Sequence, residues 1–326
     1  MQYSESSQIL SAFEPEFKHL TLDATSDPLL EEMTAYHLGW TNQNAGKRLR
    51  PLLLLAALQG LGTDIEEGFS SAAAIELLHN ATLVHDDIED NGPSRHGQPA
   101  LWKVYGQALA LNFGDHLYAL ALGQLTHDQP QLQLALLHAF LTAFNQVTSG
   151  QHLDISQSAL NSVPAYLEMV RLKTGSLFAL AFKLACICAG KQDNQSLHSA
   201  ELAGFQLGVG FQIQDDVLGI WGEEEITGKS SRSDLLERKA SLPVLLGLER
   251  SEEFGRFWNT LQTIDAKSIL QAKTALEEAG VLAECRALAL SHFQQAKHLL
   301  AGLIDFKTPE AQVLAELIAS LTNREA

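Results

Sequence analysis

Cysteine is scarce in this chain: three residues in 326, Cys186, Cys188 and Cys285, an odd set without metal-ligand spacing. A disulfide-stapled secreted scaffold is excluded, and buried free thiols in a reducing compartment are the simpler reading. Proline is scarce too, at nine residues, and alternating β-branched runs are few. Basic residues number 22 against 39 acidic ones, a formal charge of −17. Nucleic-acid binding needs a basic face, so that class is excluded, while the surplus of one sign favours solubility. Met1–Glu5 has no basic and apolar leader pattern, so secretion is not expected. The apolar stretch 176–190 is too short to span a bilayer and carries Lys183, so no transmembrane helix is expected and a cytoplasmic location is. There is no Ser/Gly/Pro-rich linker, no low-complexity tract and no short-period repeat, so residues 1–326 are expected to form one domain.

What is present in quantity is Ala, Leu and helical periodicity. Hydrophobic residues make up 46% of the chain, enough for a large core. Leu52–Leu61, Ala72–Asp90, Leu101–Leu125, Leu132–Ile155, Tyr166–Ala189, Ala200–Trp221, Ala266–Ala279, Leu282–Leu303 and Glu310–Leu321 all read as helix. Several are apolar around most of their circumference, which places them in the middle of a large all-α bundle.

Two acidic clusters interrupt these apolar helices. Asp86-Asp87-Ile88-Glu89-Asp90 follows Ala73–Leu78, and on a helix Asp86, Asp87 and Asp90 share one face with Cβ atoms about 5–6 Å apart. Three acids at that spacing repel unless a cation sits among them. Hard carboxylate oxygens suit Mg²⁺, which takes one or two protein carboxylates and completes its shell with water and substrate phosphate. A solvated acidic face is the alternative. Phe211-Gln212-Ile213-Gln214-Asp215-Asp216 repeats the arrangement. Isolated basic residues (Lys47, Arg48, Arg50, Arg95, Lys173, Lys229, Lys239) accompany the acids, a pattern suited to metal-bridged diphosphate.

Five blocks in order resemble the trans-type isoprenyl diphosphate synthases. Gly46-Lys47-Arg48-Leu49-Arg50-Pro51 is similar to that family's first basic motif, and Glu76–Asn80 through His85–Asp90 to its first aspartate-rich region. Lys173-Thr174-Gly175 and Phe211–Asp216 resemble its middle and second aspartate-rich motifs. Gly228-Lys229, Ser233-Asp234 and Lys239–Pro243 match the segment that follows. The resemblance implies an all-α bundle around a deep central cavity, a homodimer and three Mg²⁺ ions. The implied reaction joins an allylic diphosphate to isopentenyl diphosphate, head to tail, and releases pyrophosphate.

By the same resemblance Asp86 and Asp90 hold two of the ions and Asp215 the third. Asp87, Asp216 and Asp234 orient metal-bound waters. Arg95, Lys173, Lys229 and Lys239 grip the allylic diphosphate. Lys47 and Arg50, expected three apart on an early helical turn, form with His79 and His96 the metal-free isopentenyl diphosphate site. His79 also reads as a hydrogen-bonded histidine between helices. Thr174 and Gln212 offer dipoles to the carbocation. Neither His85 nor His96 is assigned as a base, because pyrophosphate takes the last proton in the family.

Two positions depart from the family pattern. His96 stands where a second arginine is usual, which predicts weaker isopentenyl diphosphate binding. Gly219 replaces the last aspartate of the second motif, with Glu223, Glu224 and Glu225 either compensating or forming a solvated loop. A prenyl diphosphate cyclase is therefore an alternative, although Lys47, Arg50 and His79 remain. A non-catalytic subunit of a heteromeric synthase fits less well, because the aspartates are kept. Ala81 and Thr82, one turn before Asp86, are small, with Leu78 and Ile75 beyond them and Phe113 and Tyr118 on the next helix. This wall predicts a product of twenty carbons, geranylgeranyl diphosphate, or longer.

Overall fold

The computed structural model describes residues 5–41, 46–127, 129–156, 162–222, 233–236, 238–260 and 266–323. Helices α1 to α10 are Glu5–Leu22, Pro28–His37, Leu49–Gly60, Phe69–Glu89, Leu101–Tyr105, Gln107–Gly123, Pro130–Ser156, Val163–Val170, Ser176–Cys188 and Asn194–Trp221. Helices α11 to α16 are Ser233–Leu236, Leu242–Arg250, Glu252–Thr260, Ala266–Glu278, Val281–Ala301 and Gln312–Thr322. Strands β1 (Ser94–Arg95) and β2 (Gln98–Pro99) form a single antiparallel hairpin. The all-α expectation holds. Among the described residues no helix is long and apolar enough to cross a membrane.

The chain divides into two compact units. The first comprises Met1–Asn145, Leu177–Gly204 and Leu299–Leu317. Its centre is α4, where Ala72, Ala73, Ala74, Ile75, Leu77 and Leu78 are fully buried. An apolar circumference of this kind forces a helix inside, and α6, α3 and α1 pack around it. The second unit comprises Gln146–Ser176, Phe205–His298 and Ile318–Ala326. Ile213, Val217 and Ile220 of α10, Leu242 and Val244 of α12, Phe254 of α13 and Leu276 of α14 form its buried interior.

Three differences from the sequence reading have local causes. The helix expected over 101–125 breaks at Gly106, whose φ of 86° ends α5 and precedes α6. The helix expected over 166–189 is interrupted by a π turn at Arg171–Gly175. Lys47 precedes α3, which starts at Leu49, so the expected helical face shared by Lys47 and Arg50 does not exist. The αL conformation of Arg48 (φ 44°) sits between them instead. Helices α1, α2, α11, α12 and α13 lie outside the segments that read as helix from the sequence. The start of α2 is nonetheless well marked, since the Asp27 carboxylate accepts from the backbone N–H of Leu29 and Leu30 and Pro28 follows it.

Candidate active site

In the first unit, the acids close the C-terminal end of α4. Asp86, Asp87 and Glu89 lie in its last turn, Asp90 is the C-cap, and no basic residue shares that turn. The helix dipole disfavours negative charge at this end, so the arrangement is electrostatically unfavourable until a cation arrives. Arg95 supplies part of that charge. Its Nη2 lies 2.5 Å from Asp87 Oδ1, its Nε 3.1 and 3.2 Å from the two Asp87 oxygens, and Asp86 Oδ2 is 3.6 Å away. Burial pushes the Asp87 carboxyl above its ordinary range, and Arg95 opposes that shift. Asp87 is therefore held by protein, whereas Asp86 is only half-covered and Asp90 is exposed.

Arg95 is positioned by the hairpin. Ser94 pairs with Pro99 and Arg95 with Gln98. His96 and Gly97 bridge the strands with φ of 51° and 76°, the positive values that a two-residue hairpin turn demands. The departure at His96 thus occupies a backbone state that histidine tolerates better than most side chains.

A second set of basic groups gathers around His79. Arg50 lies over the Phe178 ring at 5.4 Å, and its Nε is buried without a protein hydrogen-bond partner. Burial lowers its pKa to about 10, with Glu76 opposing. His79 is pushed well below its ordinary value by burial and then by Arg50, Arg95, His96 and His37. His37 falls to about 3 for the same first reason, and its Nε2 is also buried without a partner. Burial is the first cause in all three groups, and Arg50 and Arg95 add to it at His79. Lys47 is exposed beside it in sequence.

Arg48, between Lys47 and Arg50, is spent on the fold. Its Nη1 donates to Glu76 Oε1 (3.0 Å), and its Nη2 to Glu14 Oε1 (3.1 Å) and the Leu38 carbonyl (2.8 Å). The guanidinium also lies 5.2 Å over Phe17. Asn80 Nδ2 donates to Glu76 Oε1 as well (3.1 Å), which ties this network to the turn carrying His79.

Along α4, Ala81 and Leu78 are buried and Thr82 is half-buried. The Thr82 hydroxyl donates back to the His79 carbonyl (2.7 Å), which removes its polarity from the wall. Phe113 is fully buried edge-on to His37, and Tyr118 packs edge-on to His85 and 4.6 Å from Phe144.

In the second unit, Lys173 and Thr174 lie on the π turn. A Cβ at Gly150 of α7 would fall 2.2 Å from the Lys173 backbone nitrogen, so only glycine allows this approach. One turn later Asp154 Oδ2 accepts from Lys173 Nζ at 2.6 Å. Thr174 Oγ1 donates to Gln212 Oε1 (3.1 Å), and Gln212 Nε2 donates to Asp216 Oδ1 (3.1 Å). Asp216 Oδ2 accepts from the backbone N–H of Leu242 (3.1 Å) and from the Tyr166 hydroxyl. Burial raises the Asp216 carboxyl, with Lys239 foremost among the groups opposing it. Asp215, its neighbour, is exposed, as is Lys239. Lys229, Glu223, Glu224 and Glu225 lie outside the described residues, and so does the Asp234 side chain.

Among the described residues no three His, Cys, Asp or Glu side chains converge into a complete metal centre. The acids offer partial shells, which fits Mg²⁺ that draws its remaining ligands from water and phosphate. Sequence reasoning missed Gly150, Asp154, Tyr166, Glu14 and His37, and gave Glu76 a place in a motif without a partner. Only Gly150 and Asp154 carried a usable signal, the i,i+4 spacing on a helix preceding a lysine in apolar surroundings.

Residues 27–279 match the polyprenyl synthetase family model. The chain is 34% identical over 287 residues to a geranylgeranyl diphosphate synthase of Methanosarcina mazei, covering 86% of each protein. It is 33% identical to a (2E,6E)-farnesyl diphosphate synthase of Mycobacterium bovis, over 90% of this chain and 86% of that one. A polyprenyl synthase from Caulobacter crescentus, solved with calcium and isoprenyl diphosphate, superposes with a TM-score of 0.85 at 30% identity, covering 98% and 97% of the two chains. The ordered motifs, the all-helical architecture and these matches make the chain a member of the polyprenyl synthetase family.

Proposed function

We propose that this chain condenses an allylic prenyl diphosphate with isopentenyl diphosphate, head to tail, and releases pyrophosphate with the help of Mg²⁺. The observation that carries this reading is the acid-laden end of α4, unfavourable by itself and partly neutralised by Arg95, together with the separate group of basic side chains around His79. Asp86, Asp90 and Asp215 would hold the metal, with Asp87 one layer behind them; three ions are expected with substrate bound, and Asp216, whose oxygens accept from Tyr166, Gln212 and the Leu242 N–H, stands apart from the metal. The metal supplies stabilisation of the departing diphosphate charge. Arg95, Lys173, Lys229 and Lys239 hold the allylic diphosphate. Lys47, Arg50, His79 and His96 hold isopentenyl diphosphate, whose lack of metal contact keeps it from ionising. Thr174 and Gln212 present oxygen dipoles to the carbocation.

The small Ala81 and the internally bonded Thr82 support a twenty-carbon product, with Leu78 below them as a partial floor. A longer prenyl tail gains about 0.8 kcal/mol for each methylene buried against such a wall. Product chromatography after incubation with Mg²⁺, isopentenyl diphosphate and ten-, fifteen- or twenty-carbon primers tests both statements. Geranylgeranyl diphosphate is the expected end point. Ala81→Phe shortens it, and an unchanged profile removes α4 as the ruler.

A homodimer is part of the same proposal. Leu109 and Leu111 of α6 and Leu134 and Leu141 of α7 are 45, 50, 68 and 51% exposed. Bare leucines on neighbouring helices suit a second copy of the chain. Light scattering on the eluting protein should give twice the chain mass, and Leu134→Glu with Leu141→Glu should halve it.

A further inference from the structure

The second acidic cluster splits into two unlike members. Asp215 is exposed, whereas Asp216 is 1% exposed and both its oxygens are engaged by protein donors. Tyr166, Leu242 N–H and Gln212 Nε2 all donate to it. A carboxylate offers only acceptors, so the nitrogen end of the Gln212 amide must face Asp216. The oxygen end of that amide then faces Thr174 Oγ1, 3.1 Å away, and must accept its hydrogen. A hydroxyl whose hydrogen is committed in one direction presents its lone pairs in the others.

We propose that Asp216 and Tyr166 are positioning residues that fix the Thr174 hydroxyl, through the Gln212 amide, with its lone pairs toward the cationic centre. This rests on the synthase reading, in which Thr174 faces a carbocation. The carboxylate end of the network sets the polarity of every bond in it. Tyr166 holds Asp216 in place from α8, and the Leu242 N–H does so from the start of α12.

The network has a sign, and reversing that sign is a specific lesion. In Asp216→Asn the new amide keeps its oxygen on Tyr166 and Leu242 and turns its NH₂ toward Gln212. Gln212 must then rotate, offering its oxygen to residue 216 and its nitrogen to Thr174. The Thr174 hydroxyl becomes an acceptor there and swings its hydrogen toward the cation. Adding Gln212→Glu removes the conflict, because a carboxylate at 212 accepts from both neighbours and restores the Thr174 direction.

The test is steady-state kinetics on the wild-type chain, Asp216→Asn, Tyr166→Phe and the double variant Asp216→Asn with Gln212→Glu, each titrated with Mg²⁺ and both diphosphates. Asp216→Asn should lose about 100-fold or more in kcat, the range found when one oriented dipole is removed from a reacting centre. KM for either substrate and the Mg²⁺ half-saturation should stay within about threefold, on the principle that an interaction made only in the transition state moves kcat alone. Tyr166→Phe should lose roughly fivefold in kcat, and the double variant should recover at least about fivefold over Asp216→Asn. A tenfold shift in Mg²⁺ half-saturation for Asp216→Asn would make Asp216 a metal ligand and overturn the proposal, as would unchanged kcat in both single variants or absence of rescue. A wild-type chain that makes no condensation product overturns the synthase reading and the proposal with it. An active wild type with any of the preceding outcomes overturns the network alone.

Discussion

The Lys173 ammonium lies 2.6 Å from the Asp154 carboxylate, one helical turn beyond the glycine that admits the Lys173 backbone. Lysine loses up to about 2 kcal/mol of side-chain freedom when it is ordered, and Asp154 meets that cost before any substrate arrives. Asp154→Asn should therefore raise KM for the allylic diphosphate about fivefold while leaving KM for isopentenyl diphosphate unchanged, a difference of roughly 1 kcal/mol. Gly150→Ala acts on the backbone instead. It should destabilise the fold by about 3 kcal/mol or more, read as a lowered urea midpoint.

Arg48 and Lys47 are neighbours with opposite fates. Arg48 is buried between Glu14 and Glu76. Arg48→Ala leaves Glu76 buried without its charge partner and should cost about 3–5 kcal/mol in chemical denaturation. Lys47→Ala should change stability by less than about 0.5 kcal/mol, since the side chain is exposed. Its effect should be confined to a raised KM for isopentenyl diphosphate.

The neutral histidines make stability depend on pH. His37 titrates near 6.5 when unfolded and at about 3 when folded. Between those values the unfolded chain binds the extra proton, so its contribution is fully present above about pH 6.5 and is lost as pH falls toward 3. From pH 7 to pH 5 the loss is about 2 kcal/mol for this group. Urea unfolding at the two pH values should show it, and His37→Gln should remove that share of the slope. His79, shifted in the same direction, adds to the slope.

His96 occupies the hairpin turn at φ 51°. His96→Arg restores a permanently charged donor at the family's usual position and should lower KM for isopentenyl diphosphate several-fold. The same change places a long side chain in the left-handed region, at a stability cost of about 1 kcal/mol. Parallel kinetics and melting curves separate the two effects.

Much of this was legible in the sequence because it is carried by composition and spacing. The all-helical architecture follows from period and apolar content, and the Asp86–Asp90 turn from an i,i+4 pattern. The partners that come from distant segments were not legible. Nothing local marks Tyr166 as a partner of a carboxylate fifty residues away, or Glu14 as a partner of Arg48. The helical face assigned to Lys47 and Arg50 failed because spacing alone does not reveal where a helix begins. The breaks at Gly106 and Arg171–Gly175 were hidden by strong apolar periodicity on both sides.

The π turn at Arg171–Gly175 makes chain length at that point as binding as residue identity. A wider turn inserts one residue relative to α geometry, so the periods before and after it are offset. Consecutive side chains there serve different helices, Lys173 meeting α7 and Thr174 meeting α10. Deleting a single residue would close the turn to ordinary pitch and leave the flanking helices in register, so the lesion would fall on how Lys173 and Thr174 are presented. A substitution elsewhere on the turn leaves that division of side chains intact, so a change of length should be tolerated far less here than a change of residue type.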